Sequence, residues 1–418
     1  MNNTHASYDV VVVGGGASGM MSAYCLALRG YKVLILEKNT RLGEKVRISG
    51  GGRCNITNAE YDTRTLLKRY GKAEPYLYSL FAQFGVKDTF TFFESRGVTL
   101  VVEEHKRTFP KSYNANDVVR VFEQGLKETR VTVRNGEPVK EVLHEDGSIT
   151  GIRTEFGVYT AKHYIFATGG VSHKETGSTG DGFGWLAKLG HTVIPATPSI
   201  VPLAVVDDWV KVIAGSTLQD VKVTFFVDDK KQFSCKGNVL CTHFGISGPT
   251  ILNVASKVGV ILPAGTVTAH IDLFPSLDHK ELGQKLLHLF DTHKNRDMKN
   301  VLREFFGGET SRGLLMALSS SVDMSKKVHS VTKEERSSIV AMCKSMRITI
   351  EGLMGFDRAV VADGGVPLDE VDMKTMRSLK VKNLSITGDL LNINRPSGGY
   401  SLQLCWGTGS VAGNTLVL

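Results

Sequence analysis

The chain has 418 residues, 42% hydrophobic and 22% charged, the balance of an ordinary globular protein able to bury a large core over two or three domains. No apolar run approaches the ~20 residues of a membrane helix, the start lacks the basic region and cleavage site of a signal peptide, and six cysteines with no CxxC pair suit neither a disulfide framework nor a zinc site, so a cytoplasmic protein with no membrane partner and no metal is expected. The net charge of +8 favours anionic cofactors, and because Lys and Arg are scattered rather than clustered, a nucleic-acid partner is not expected.

Glycine is enriched, with 44 in the chain against an average near 7%, and its positions are informative. Tyr8 to Val13 is a β-branched run that predicts a buried strand. A turn follows at Gly14 to Gly19, then helix formers from Met20 to Leu28 ending at Gly30, then a second apolar strand from Lys32 to Glu37. This is a βαβ unit with parallel strands. Residues 76–93 and 114–129 carry apolar side chains at helical spacing. From Val131 to Phe166, short strands marked by Val139, Val142, Ile149 and Ile152, with turns at Asp146-Gly147 and Phe156-Gly157, predict a β-meander. Tyr164 to Phe166 ends a strand just before Ala167-Thr168-Gly169-Gly170. Pro195, Pro198 and Pro202 then mark a boundary. Residues 200–275 are strand-like, at Lys222 to Val227, Val239 to Cys241 and Val267 to Leu273, and 278–340 are charged and helical with a break at Gly307-Gly308. The tail returns to a strand at Leu384 to Thr387 and a final Gly-spaced helix.

Gly14-x-Gly16-x-x-Gly19 gains meaning from its place between a strand and a helix. Gly14 permits the tight turn, Gly16 lets the backbone approach a pyrophosphate, and Gly19 lets helix and strand pack closely. The free N–H groups of the helix start then face the pyrophosphate. Glu37, twenty-one residues after Gly16, stands where a carboxylate accepts hydrogen bonds from an adenosine ribose. NAD and FAD share that moiety, so the choice falls to the rest of the chain. Ala167-Thr168-Gly169 and Thr387-Gly388-Asp389 each follow a strand, and Asp389 suits the ribityl hydroxyls of a flavin or waters near the pyrophosphate. Ser397-Gly398-Gly399-Tyr400 opens the last helix, whose N-terminus can stabilise negative charge on a reduced flavin.

Five further stretches carry a resemblance: Arg47-Ile48-Ser49-Gly50-Gly51-Gly52-Arg53-Cys54-Asn55, Arg107-Thr108-Phe109-Pro110, Gly177-Ser178-Thr179-Gly180-Asp181-Gly182, Thr242-His243-Phe244-Gly245-Ile246-Ser247-Gly248-Pro249, and Asp363-Gly364-Gly365-Val366 running into Ser397-Gly398-Gly399-Tyr400. Over nearly its whole length the sequence resembles the YhiN/BaiN-like, or aminoacetone-oxidase-like, flavoproteins of the glutathione-reductase-like FAD superfamily. The resemblance implies an α/β fold: a discontinuous Rossmann-like FAD-binding domain (parallel sheet plus β-meander), an inserted β-barrel-like domain and a small helical subdomain. The expected limits are 1–192 and 355–418 for the FAD domain, 193–275 and 341–354 for the insertion, and 276–340 for the helices. It further implies non-covalent FAD held by Gly14, Gly16, Ala17, Ser18, Gly19, Glu37, Lys38, Lys45, Gly52, Arg53, Cys54, Asn55, Ala167, Thr168, Gly169, Gly388, Asp389, Gly399 and Tyr400, with the Val139 backbone on adenine. The sequence departs from the family pattern at Gly388-Asp389, where Gly-Glu is usual, at Leu391-Asn392 and at Tyr400-Ser401. These changes bear on substrate and redox tuning more than on FAD binding.

Four residues are candidates for chemistry. Cys54 is a thiol beside the flavin or a compact packing residue. Arg53 places charge near the flavin, holds a substrate carboxylate, or pairs with an acid. His243 supplies an acid or base, or is structural. Tyr400 is a phenolic general acid, or packs at a helix start. Only one Gly-x-Gly-x-x-Gly has strand–helix context, so NAD(P)H would dock transiently as electron donor to reduce a small-molecule substrate at an activated C=C or C=O. Two alternatives stay open: an oxidase of a small amine, and a flavoprotein acting on RNA. The oligomeric state is not fixed by the sequence.

Overall fold

Strand β1 (Tyr8–Val13), helix α1 (Ala17–Leu28) and strand β2 (Val33–Glu37) follow one another in the computed structural model as the opening sequence predicts. The structure describes residues 7–198, 200–355 and 362–418. They fall into two units, Met1–Thr197 with Val360–Leu418, and Pro198–Ala359.

In the first unit, helix α2 (Ala115–Glu128), strand β3 (Thr132–Asn135), strand β4 (Ala161–Phe166), strand β5 (Leu384–Ile386) and helix α3 (Tyr400–Thr415) complete the frame. The sheet runs β5-β4-β1-β2-β3, every neighbouring pair parallel, and two short antiparallel strands extend it beyond β5. A parallel sheet is covered on both faces, which is why β1 reads as an unbroken apolar run and Val10, Val11 and Val12 are wholly buried. The register sets the ends of β1 and β4 level, Val13 opposite Phe166. The loops that leave β1, β4 and β5 therefore meet at one edge, the place where open α/β sheets bind ligands. The predicted meander is a separate antiparallel sheet of Glu141–Glu145, Ser148–Thr154 and Gly157–Tyr159. Val139 lies before it in the connecting loop, not in a strand.

The Gly-spaced last helix is buried along nearly its whole length. A side chain at Gly409 would run into the Ser18 carbonyl of α1, so the two helices approach backbone to backbone. Trp406 is fully buried, stacks on Phe122 at a centroid distance of 5.3 Å and donates from Nε1 to the Ile56 carbonyl at 3.1 Å. It thereby ties α3 to α2 and to the stretch that follows Cys54.

The second unit holds a closed barrel of six antiparallel strands, in the order Leu203–Val205, Gly245–Ser247, Lys230–Thr242, Thr217–Val227, Val267–Asp272 and Met346–Leu353. Lys230–Thr242 is much longer than the apolar signal at Val239 to Cys241 because its first residues are polar and largely exposed. Helices His279–Thr292, Met298–Phe306, Ser311–Leu318 and Lys333–Lys344 follow the predicted helical stretch, and Leu286, Phe290, Leu302 and Ile339 form an apolar cluster apart from the barrel core. Capping boxes at Asp278/Glu281 and Thr332/Glu335 start two of these helices. Among the described residues no helix is long and apolar enough to cross a membrane.

Candidate cofactor site

At the end of β1, Gly14 has φ +102° and its N–H donates to the Leu36 carbonyl at 2.9 Å. A Cβ at Gly14 would meet the Ala167 carbonyl at 2.5 Å, and one at Gly19 would strike the Gly14 carbonyl. Gly16 differs from both, because a Cβ there would meet nothing within 4 Å. Gly16 also starts α1 with no side-chain cap. The turn is thus closed toward the protein and open at the helix N-terminus, a seat for a phosphate.

Glu37, at the end of β2, is buried, and both its carboxylate oxygens accept backbone bonds, Oε2 from Gly15 N at 2.7 Å and Oε1 from Asn39 N at 2.8 Å. Burial pushes this carboxyl above its usual range and outweighs those bonds. Glu37 therefore pins the glycine turn as well as offering lone pairs beside it. The loop carrying Val139 lies against the same point, with Glu137 N donating to the Glu37 carbonyl at 2.9 Å. Lys38 Nζ is held by Thr179 Oγ1 at 2.5 Å and Asp181 Oδ2 at 2.6 Å, so it ties down the Gly-rich stretch that the sequence singled out.

From the ends of β4 and β5, Ala167 N donates to the Val13 carbonyl at 2.9 Å and Gly388 N to Thr408 Oγ1 at 3.1 Å. These bonds bring Ala17, Ser18, Ala167 to Gly169, Gly388 and Asp389 to one edge of the sheet. The Thr168 hydroxyl is buried there with no hydrogen-bond partner. Asp389 lies between two cations, with Arg395 Nη2 at 3.1 Å from Oδ1 and Lys45 Nζ at 4.0 Å from Oδ2. Lys45 also donates to Ser172 Oγ at 3.2 Å.

The chain just after the Gly52–Asn55 stretch packs on the start of α3, where a Cβ at Gly399 would meet the Thr57 carbonyl at 2.3 Å. Asn55 Oδ1 accepts from Thr108 N at 3.2 Å. Cys54 is wholly buried with φ +60°, and burial pushes its thiol up to about 12, so it keeps its proton at neutral pH. Arg53 is half-buried, its guanidinium 4.4 Å from the Phe109 ring centre and 3.4 Å from Glu103 Oε1, while Arg107 reaches the other oxygen of Glu103 at 3.4 Å. Tyr400 follows the cap residue Gly399, and its ring meets Tyr70 edge to face at 5.8 Å. Burial raises its phenol, partly opposed by Arg69, so it too holds a proton to donate. His243 belongs to the second unit, on an exposed loop with its ring edge-on to Phe244 at 4.8 Å.

Two residues of this region were not singled out from the sequence. Arg395 is 1% exposed, yet none of its guanidinium nitrogens makes a hydrogen bond. Gln403 Oε1 accepts from Thr57 and Thr89 hydroxyls at 2.6 and 2.8 Å while its Nε2 is buried without a partner. The only sequence signal for Arg395 is a cation beside proline shortly before the Ser-Gly-Gly-Tyr turn, which reads as a surface loop.

The chain matches the family model described as HI0933-like protein Rossmann domain over residues 8–415. It is similar to the 3-dehydro-bile acid delta(4,6)-reductase of Clostridium scindens, 29% identical over 408 residues that cover 96% of this chain and 97% of that protein. It is also similar to the ribosomal RNA dihydrouridine synthase of Escherichia coli, 25% identical over 418 residues, 98% of each. Among solved structures, 3-ketosteroid delta1-dehydrogenase from Sterolibacterium denitrificans shares the fold, with a TM-score of 0.55, 13% identity, and coverage of 98% of this chain and 99% of that one.

Proposed function

The chain belongs to the HI0933-like Rossmann family of FAD-type oxidoreductases, and on that premise we propose that it reduces an activated C=C or C=O bond of a small molecule with electrons from NAD(P)H. The observation that carries this reading is the Gly14–Gly19 turn, crowded at Gly14 and Gly19 and open at Gly16 over the start of α1. The surrounding residues fit FAD. Backbone N–H groups at α1 can hold the pyrophosphate, Glu37 and the Val139 loop stand beside the adenosine end, and the buried Thr168 hydroxyl, Asp389, Lys45 and Arg395 offer polar groups along the way to α3. Bound FAD would supply the carrier that accepts a hydride from the donor and passes it to the substrate. Around it, Tyr400 keeps its proton for delivery to the reduced substrate, and the start of α3 directs positive potential toward developing negative charge. Arg53 and Arg107 share one carboxylate, Glu103, which leaves cationic capacity for an anionic substrate group.

The names of both characterised relatives describe the addition of hydrogen to C=C bonds, which favours reduction over amine oxidation. A second reading, a pyrimidine of ribosomal RNA as the hydride acceptor, is supported by the full-length likeness to the dihydrouridine synthase and by the net charge of +8. We place the protein in a reducing, cytoplasmic compartment, in keeping with six unpaired cysteines. The test is anaerobic stopped-flow reduction of the holoenzyme by NADH and NADPH, then reoxidation by conjugated enones, by protein-free ribosomal RNA, and by oxygen. Rapid reoxidation by an enone supports the first reading and by RNA the second. Purified protein that carries no flavin and binds no added FAD overturns both.

A further inference from the structure

Arg395 is a charged side chain in the wrong medium. It is 1% exposed, its Nε, Nη1 and Nη2 are all sealed from water, and none of them makes a hydrogen bond. A guanidinium carries five N–H donors, and native proteins rarely bury them unused. Its ionic partner among the described residues, Asp389, lies 3.1 Å away but is not aligned for a hydrogen bond. The same carboxylate faces Lys45 Nζ at 4.0 Å on its other oxygen. Within 4 Å two cations therefore share one anion. Glu175 also acts on Lys45 but is largely exposed and paired with His173. Although burial works against the charge on Lys45, the buried part of the cluster carries one positive charge in excess where the low dielectric screens it little. The cluster adjoins the glycine turn: a Cβ on Gly388, next to Asp389, would meet Ser18 Oγ of α1 at 2.7 Å.

We propose that Arg395 is a cofactor-positioning residue: it fixes Asp389 from behind and, with Lys45, gives the cluster the surplus positive charge that receives an anionic part of FAD. The proposal rests on the flavin reading above. Two parts of FAD have the required chemistry, the pyrophosphate in either redox state and the pyrimidine edge of the ring system once it has been reduced. The guanidinium stays sealed behind Asp389, and its charge reaches the cofactor through the carboxylate it fixes and together with Lys45.

The test compares the wild type with Arg395→Met, Arg395→Lys and Lys45→Met. FAD affinity is read by fluorescence quenching, flavin midpoint potential by dye-coupled titration, and folding by circular dichroism. Arg395→Met is expected to weaken FAD binding at least tenfold, and Arg395→Lys, which keeps the charge, to recover most of that loss. Weaker binding at an unchanged potential assigns the cluster to the pyrophosphate, and weaker binding with a lowered potential assigns it to the reduced ring. If Arg395→Met does not fold, Lys45→Met carries the test, since Lys45 is half-buried and its removal also leaves the cluster neutral; the same tenfold loss is expected. Wild-type affinity and potential in a folded Arg395→Met, or in Lys45→Met where the former does not fold, overturns the proposal. A wild type that binds no FAD instead overturns the flavin reading itself.

Discussion

Replacing Gly16 by serine separates folding from cofactor binding. Gly16 has φ −80° and ψ −168°, backbone angles open to any residue, and a Cβ there would meet nothing within 4 Å. Serine is also a better helix N-cap than glycine by a few tenths of a kcal/mol, and removing a glycine whose conformation tolerates a side chain gains about 0.4–1 kcal/mol through the unfolded chain. The FAD-free variant should thus be as stable as the wild type or up to about 1 kcal/mol more stable. Binding should respond in the opposite sense. The new side chain fills the approach to α1, and its hydroxyl competes for the N–H groups that would hold the pyrophosphate. Losing two charge-assisted hydrogen bonds at about 1.5–3 kcal/mol each would raise the Kd for FAD roughly 10²–10⁴-fold. Thermal melts of FAD-free protein and fluorescence titration with FAD measure the two effects. Wild-type affinity in Gly16→Ser would refute the placement of the pyrophosphate, and a marked fall in melting temperature would refute the open approach at Gly16.

Tyr400→Phe removes a phenol that burial keeps protonated, and should slow substrate reduction about 10²-fold while flavin reduction by NAD(P)H stays at the wild-type rate; equal turnover in both proteins would exclude it as proton donor. Cys54→Ala should leave turnover nearly unchanged, and the wild-type thiol, pushed up to about 12 by burial, should resist alkylation at pH 8; fast modification of Cys54 in folded protein would contradict its burial. Glu370 contributes to the acid limb of stability. Burial pushes its carboxyl up, but bonds from Lys380, Thr192 and His191 outweigh this and bring it down to about 2. Because the folded value lies below the unfolded one of 4.5, its stabilisation is complete above that pH and is lost as pH falls toward 2. Glu370→Gln should lower stability at neutral pH and flatten the decline between those limits, and an unchanged acid limb in urea melts would show that the network contributes nothing.

The first βαβ unit was legible because its signals are local. Six consecutive residues set the glycine turn, an unbroken apolar run marks a strand buried on both faces, and a fixed interval from the turn reaches Glu37. The second of the two long barrel strands was largely invisible, since its first residues alternate between exposed and half-buried and are held by cross-strand pairing with Thr217–Val227 instead of by their own hydrophobicity. The same division runs through the site. Sequence alone singled out the glycines, Glu37 and Asp389, on backbone geometry and charge type. Only the tertiary structure decided that Glu37 pins the turn by accepting from Gly15, that Cys54 is sealed from solvent, and that Arg395 is buried without hydrogen bonds beside Asp389. Burial and pairing are set by which chain segments pack together, and a string of residue types records each side chain's chemistry without recording the neighbours that desolvate it.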